Sequence, residues 1–172
     1  MYKIVILLLF SFLFSHIPIV YNAKVESSIR YYSKTVKTWM QEVLDREAEY
    51  KEIILPILDE NNLPPELFYI TVIGSGLSPD ATSYNHNTVG IWQLTKPTAK
   101  AYGLKIDNLQ DERFLDERLN IEKSTYAATK FLKHLYNKYN DWYLVLAAYN
   151  SGESRIDRHI NFFKTTNYWE LK

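Results

Sequence analysis

LPPELFYITVIGSGLSPDATSYNHNTVGIWQ, residues 63–93, is the stretch on which the fold turns. Pro64 and Pro65 suit a helix entry, because proline lacks the N–H that a first turn leaves unused and its fixed φ matches that position. Glu66 follows in the first turn, where the helix dipole favours negative charge. Leu67, Phe68, Ile70, Val72 and Ile73 make the segment apolar nearly all round, the pattern of a helix buried in a core. Gly74-Ser75-Gly76 ends it, and Pro79 prevents prompt resumption. A polar loop and the turn Gly90-Ile91-Trp92-Gln93 come next. A helix, a break, a loop and a Gly-aromatic-Gln turn in that order lay out the wall of a cleft.

Working outward from this stretch, apolar residues recur at helical spacing almost everywhere. Val25, Ile29, Val36, Trp39, Met40, Val43 and Leu44 predict an amphipathic helix over residues 24–46. Residues 50–61 continue it, with Pro56 expected to kink or divide it. Downstream, residues 96–102 read as a short helix ended by Gly103, and residues 105–117 as a charged surface connection. Residues 118–139 regain helical spacing through Ile121, Tyr126, Ala127, Phe131, Leu132, Leu135 and Tyr136. Asn140-Asp141 breaks that helix and can cap the next, residues 142–149, where Ala147 and Ala148 permit close helix approach. Asn150-Ser151-Gly152 ends it, and residues 153–163 form a last helix. With no fixed-period repeat and no long alternating run, the expectation is a single all-α domain. Its parts are a leader or anchor at 1–23, a helical segment at 24–49, the principal domain at 50–163 and a tail at 164–172.

The chain has 172 residues, enough to bury a real core. Lys plus Arg and Asp plus Glu both number 20, which removes any bulk-charge argument for nucleic acid or anionic lipid. There is no cysteine, so disulfides, thiolate metal sites and thiol nucleophiles are excluded. His16, His86, His134 and His159 show no HExxH or close pairing, so neither a metal nor a cofactor is expected. Charges such as Lys130, Lys133, Lys138, Arg155 and Arg158 read as solvated helix faces. Lys3 precedes an apolar run over residues 4–14, the layout of a signal peptide, with cleavage expected after Ala23. Left uncleaved, the run would be a short membrane anchor interrupted by His16 and Pro18. Either way the domain is expected outside the cytoplasm.

LPPELFYITVI, SGLSPDATS, VGIWQ, TAKAYGL and DWYLVLAAYNSGE resemble, in order and spacing over residues 50–160, the peptidoglycan lytic transglycosylases. The resemblance implies a goose-type-lysozyme-like helical domain with a glycan cleft, and peptidoglycan glycan strands as the partner. It also implies a reaction in which one glutamate protonates the bond between N-acetylmuramic acid and N-acetylglucosamine. The same glutamate then acts as base on the muramyl 6-hydroxyl, closing a 1,6-anhydro ring without water. Matching the family's motifs residue by residue, the substrate-binding set is Ser75, Ser83, Gly90, Trp92, Gln93, Tyr149 and Asn150. Ser83 matches a serine that holds the muramyl ring. Trp92 would offer an apolar face, Gln93 would bond a sugar amide, the Tyr149 hydroxyl would reach the cleft and Asn150 would brace its turn. The loop 84–89 is one residue longer than the family pattern.

Where that family carries its catalytic glutamate, this chain has Gly74. Glycine can neither donate nor accept a proton, and general acid–base catalysis typically contributes ~10²–10⁴-fold. Glu66 lies a little over two turns upstream, about 12 Å along a helix at ~1.5 Å per residue, and is expected to point elsewhere. Asp80 and Glu153 sit in loops from which either could lean inward. The expectation is therefore a transglycosylase-like protein with impaired or no turnover and retained glycan binding. The alternative is a catalytically silent binding domain or envelope scaffold.

Overall fold

Helix α6 (Ile121–Tyr139) is the element on which the others pack. The computed structural model describes residues 16–106 and 116–171. The apolar run of the expected leader and most of the charged connection lie outside the described residues. Within them, α1 (Ala23–Arg30), α2 (Lys37–Asp45) and α3 (Glu47–Glu60) precede α4 (Tyr69–Ser75) and α5 (Lys96–Ala101). After α6 come α7 (Trp142–Ser151) and α8 (Glu153–Phe163). The β-structure comprises two short antiparallel strands, β1 (Thr88–Val89) and β2 (Leu94–Thr95), with Thr88 opposite Thr95 and Val89 opposite Leu94. The architecture is all-α, as the sequence predicts.

Local chemistry sets the ends of α6 and α7. The Asn120 side chain accepts from Lys123 N at 2.9 Å, and Asp141 accepts from Leu144 N at 2.9 Å. Between the two helices Asn140 turns the chain at φ 49°, a left-handed conformation that asparagine tolerates. Ala127, Ala128, Leu132 and Leu135 of α6 join one buried cluster with Ile54 and Leu58 of α3 and Leu144, Val145 and Ala148 of α7. Small residues at these positions let the helices approach, and each fully buried leucine or phenylalanine contributes roughly 1.5–3 kcal/mol.

Three expectations need correction. The helix predicted over 24–46 is broken by a wide turn at Tyr31–Thr35, where aromatic, serine and β-branched residues of low helix propensity succeed one another. Pro56, by contrast, does not divide α3, which runs unbroken through it. Burial of Ile54, Ile57 and Leu58 offsets the lost backbone hydrogen bond. The third concerns α4, which is entered through a tight 3₁₀ turn, Pro65–Phe68, and is not buried all round. Leu67 and Phe68 are inaccessible, whereas Tyr69 and Ile73 are 47% and 52% exposed. That open apolar face borders the cleft.

Candidate active site

A cleft of about 1080 Å³ is bounded by α4 and its entry turn, by the residues around β2 and α5, and by the α7–α8 junction. Glu66, Tyr69, Ile73 and Gly74 line it, with Gln93 beside them. Tyr102, Phe131 and Tyr149 add an aromatic wall, their ring centres 5.2 Å and 5.3 Å apart in sequence and successive planes tilted by 34°. Asn150 and Glu153 complete the lining at the α7–α8 junction.

Gly74 is exposed in the last turn of α4, and a Cβ built there would meet only Gln93 Cγ, at an ordinary 3.7 Å. The left-handed cap of the helix is Gly76, at φ 60°. Its N–H donates to Val72 O and that of Leu77 to Thr71 O, while Arg46 Nη2 donates to the Gly76 carbonyl at 2.9 Å. The helix end is thus satisfied without help from Gly74.

This chain matches the Transglycosylase SLT domain over residues 53–172. It belongs to that family. Among its relatives, membrane-bound lytic murein transglycosylase D of Escherichia coli (strain K12) is 34% identical over 140 residues, which cover 78% of this chain and 30% of that protein. A protein of Alteromonas sp. (strain M-1), named for tributyltin chloride resistance, is 34% identical over 128 residues, 74% of this chain and 58% of the relative. Peptidoglycan transglycosylase gp16 of Escherichia phage T7 is 44% identical over 69 residues, 40% of this chain and 5% of the phage protein. The chain therefore spans less than two thirds of the length of these relatives.

In this SLT domain the residues singled out from sequence divide between cleft and scaffold. Gly74, Gln93, Tyr149 and Asn150 line the cleft. Asn150 is exposed in the lining, and no hydrogen bond from its amide to the described residues supports the expectation that it braces the turn. Gln93 is already committed. Its Nε2 donates to Ala81 O at 3.1 Å and Gly90 O at 2.8 Å, and its Oε1 accepts from Thr88 Oγ1 at 2.7 Å. With both amide hydrogens spent, it stitches the turn together and has no donor left for a sugar amide.

Trp92 is also among the cleft-lining residues, but it is 1% exposed and its indole N–H donates to Thr125 Oγ1 at 2.8 Å, so most of its ring is spent on the core. The Tyr149 hydroxyl turns inward to donate to Trp92 O at 2.8 Å, and burial pushes its pKa up; what it shows the cleft is its ring. Ser75 Oγ lies 2.9 Å from Thr71 O and 2.8 Å from Ile91 O, tying α4 to the turn. Ser83 closes the long loop, accepting from Thr88 N at 3.0 Å and donating to Asn85 Oδ1 at 2.9 Å. Tyr84 is fully exposed beyond the Ser83–Thr88 closure.

Gly90 is demanded by its surroundings. At φ 84°, a Cβ would fall 2.0 Å from the Arg118 carbonyl oxygen. Arg118 itself is buried, with Nε bonded to both Asp116 oxygens at 2.9 and 3.1 Å and Nη1 donating to Leu94 O at 3.2 Å. Burial works to raise the Asp116 pKa, but the hydrogen bonds and charge of Arg118 outweigh it and hold the carboxyl below its ordinary value. The sequence reading missed this pair because Asp116-Glu117-Arg118 looks like solvated charge.

Two of the three carboxylates weighed as substitutes do line the cleft. Glu153 accepts from Lys138 Nζ at 2.6 Å, with His134 Nε2 at 3.4 Å. The Lys138 hydrogen bond leads the causes that hold its pKa below the ordinary value, so it stays ionised and is a poor proton donor. Lys138 also bonds Asp157 at 2.7 Å, so it clamps α6 to α8 and is not the purely solvated charge expected. Asp80 is not part of the lining and accepts from Ser78 Oγ at 2.6 Å. Glu66 was expected to point elsewhere and lines the cleft instead.

Proposed function

We propose that this chain binds peptidoglycan glycan strands in the cleft of a lytic-transglycosylase domain and that its turnover is impaired or absent. The observation that carries the reading is Gly74, exposed in the cleft of an SLT domain; the motif resemblance is what aligns it with the family's general acid and base. The family reaction needs a proton delivered to the glycosidic oxygen and then removed from the muramyl 6-hydroxyl. Glycine can do neither, and Glu153, kept ionised by Lys138, does not supply the acid.

What supports retained binding is the rest of the lining. Three aromatic rings form a continuous wall of the kind sugar faces stack against, and Asn150 presents an uncommitted amide. The apolar leader and the relatives named as membrane-bound and as a peptidoglycan transglycosylase support a site of action in the cell envelope. Among the described residues no helix is long and apolar enough to cross a membrane.

The test is release of anhydromuropeptides from purified sacculi by the parent chain and by Gly74→Glu. The substitution fits sterically, since the nearest atom to the new Cβ is 3.7 Å away. We expect G74E to raise release by ~10²-fold or more, the range set by general acid–base catalysis. A parent chain as fast as the variant would mean that another group carries the proton, and the reading would be lost.

A further inference from the structure

Glu66, its side chain 33% exposed in the cleft, is only partly engaged by the fold. It stands in the first turn of the Pro65–Phe68 element, yet its carboxylate bonds none of that turn's N–H groups. One oxygen, Oε2, is buried and has no hydrogen-bond partner. The other, Oε1, is met at 2.6 Å by Nδ1 of His16, which arrives from the segment preceding α1 and is itself 73% exposed. A buried acceptor without a donor is costly and rare, and in a binding cleft it marks a place that a ligand completes. The neighbouring cleft residues are Tyr69, whose ring is 47% exposed, and Ile70. Lys51 lies 5.7 Å from the Tyr69 ring centre, and its ion pair is with Glu47 at 2.7 Å.

We infer that Glu66 is a recognition site for a cationic amine on the ligand, and that His16 is its intramolecular occupant. A carboxylate beside an exposed aromatic face favours an ammonium through a charge-assisted hydrogen bond and a cation–π contact, and it disfavours anions. The imidazole already seated on Oε1 shows that the position takes a nitrogen partner. From Glu66 to Gly74 the backbone advances about 13 Å, at ~2.0 Å per residue in the 3₁₀ turn and ~1.5 Å in α4, so the two positions serve different parts of one ligand. On the glycan reading proposed above, which this inference rests on, the amine is the free side-chain amine of a diamino acid in the peptide branches of the strand. His16 belongs to the segment that leader cleavage after Ala23 would remove, so processing would vacate the site.

The experiment is co-sedimentation of the full chain with sacculi, untreated or with their amines acetylated. Glu66→Gln keeps shape and removes charge. It is expected to bind untreated sacculi about 5- to 10-fold more weakly than the parent, the scale of one partly exposed charge-assisted bond, and acetylated sacculi equally well. His16→Ala leaves the carboxylate intact and is expected to bind untreated sacculi about 2-fold or more tightly, by removing a competitor that is mostly solvent-exposed. Unchanged thermal midpoints confirm that both variants fold. Equal binding of E66Q and parent to untreated sacculi, or the same loss on both materials, overturns the assignment. If the parent binds neither material, the glycan reading itself fails and takes this inference with it.

Discussion

A carbon added at Gly90 would stand 2.0 Å from the Arg118 carbonyl, whereas one added at Gly74 would find nothing nearer than 3.7 Å. The two glycines belong to neighbouring motifs of one family signature, and sequence alone gives them the same weight. The turn around Gly90 is over-determined. The backbone is left-handed there, Gln93 spends its amide on it, and the Asp116–Arg118 pair holds the approaching chain in place. The end of α4 around Gly74 is ordinary helix in open space, already capped by Gly76 and Arg46. A glycine that the fold requires says little about chemistry. A glycine that the fold does not require, in the cleft and at the position where we propose that an acid has been lost, is the one that bears on chemistry.

The sharpest way to break this comparison is Gly90→Ala. Its methyl group can be relieved only by moving Arg118 backbone, so we expect a loss of about 3 kcal/mol or more in denaturant unfolding. A near-neutral result would mean that the turn is not fixed as described. Next in size is Asp116→Asn, which leaves the buried Arg118 charge poorly matched and is expected to cost about 2 kcal/mol at neutral pH. The folded-state pKa of Asp116 is depressed. Its contribution is therefore complete above the unfolded value near ~3.9 and disappears as pH falls through the lower folded value. Unfolding measured between about pH 6 and pH 2 should show an acid loss in the parent that is smaller in D116N. The smallest effect is Gly74→Ala, expected to stabilise the chain by about 0.5 kcal/mol, since glycine in a helix costs ~0.5–1 kcal/mol relative to alanine and helix ends are less demanding. A destabilised G74A would show that glycine is needed there for structure, and the contrast with Gly90 would dissolve.

Much of the helical plan was legible because it rests on periodicity and on local caps. The α6–α7 junction follows from Asn140-Asp141, and residues 153–163 match α8 as predicted. The break at Tyr31–Thr35 was not legible because regular apolar spacing on either side masked a run of low helix propensity, and the continuity through Pro56 was not because packing overrode the local preference of proline. At the cleft, Gly74, Gln93, Tyr149 and Asn150 were found, but the roles expected of Trp92 and Gln93 were not. A motif names residue types, and it does not say which of their hydrogen-bonding groups other parts of the chain will consume. Tyr102 and Phe131 were read only as helix residues, because a shared wall across α5, α6 and α7 has no trace in linear spacing.

By itself the sequence determined an all-α chain and the family motifs, and it is the source of our proposal that Gly74 stands in for an acid, for these depend on residue identity and on spacing within single segments. Tertiary structure alone decided that Gly74 is sterically free while Gly90 is not, that Glu153 is neutralised by Lys138, and that Glu66 faces the cleft with an unpartnered oxygen. The physical reason is common to all three. Steric freedom, charge pairing and hydrogen-bond satisfaction depend on atoms that are close in space and distant along the chain.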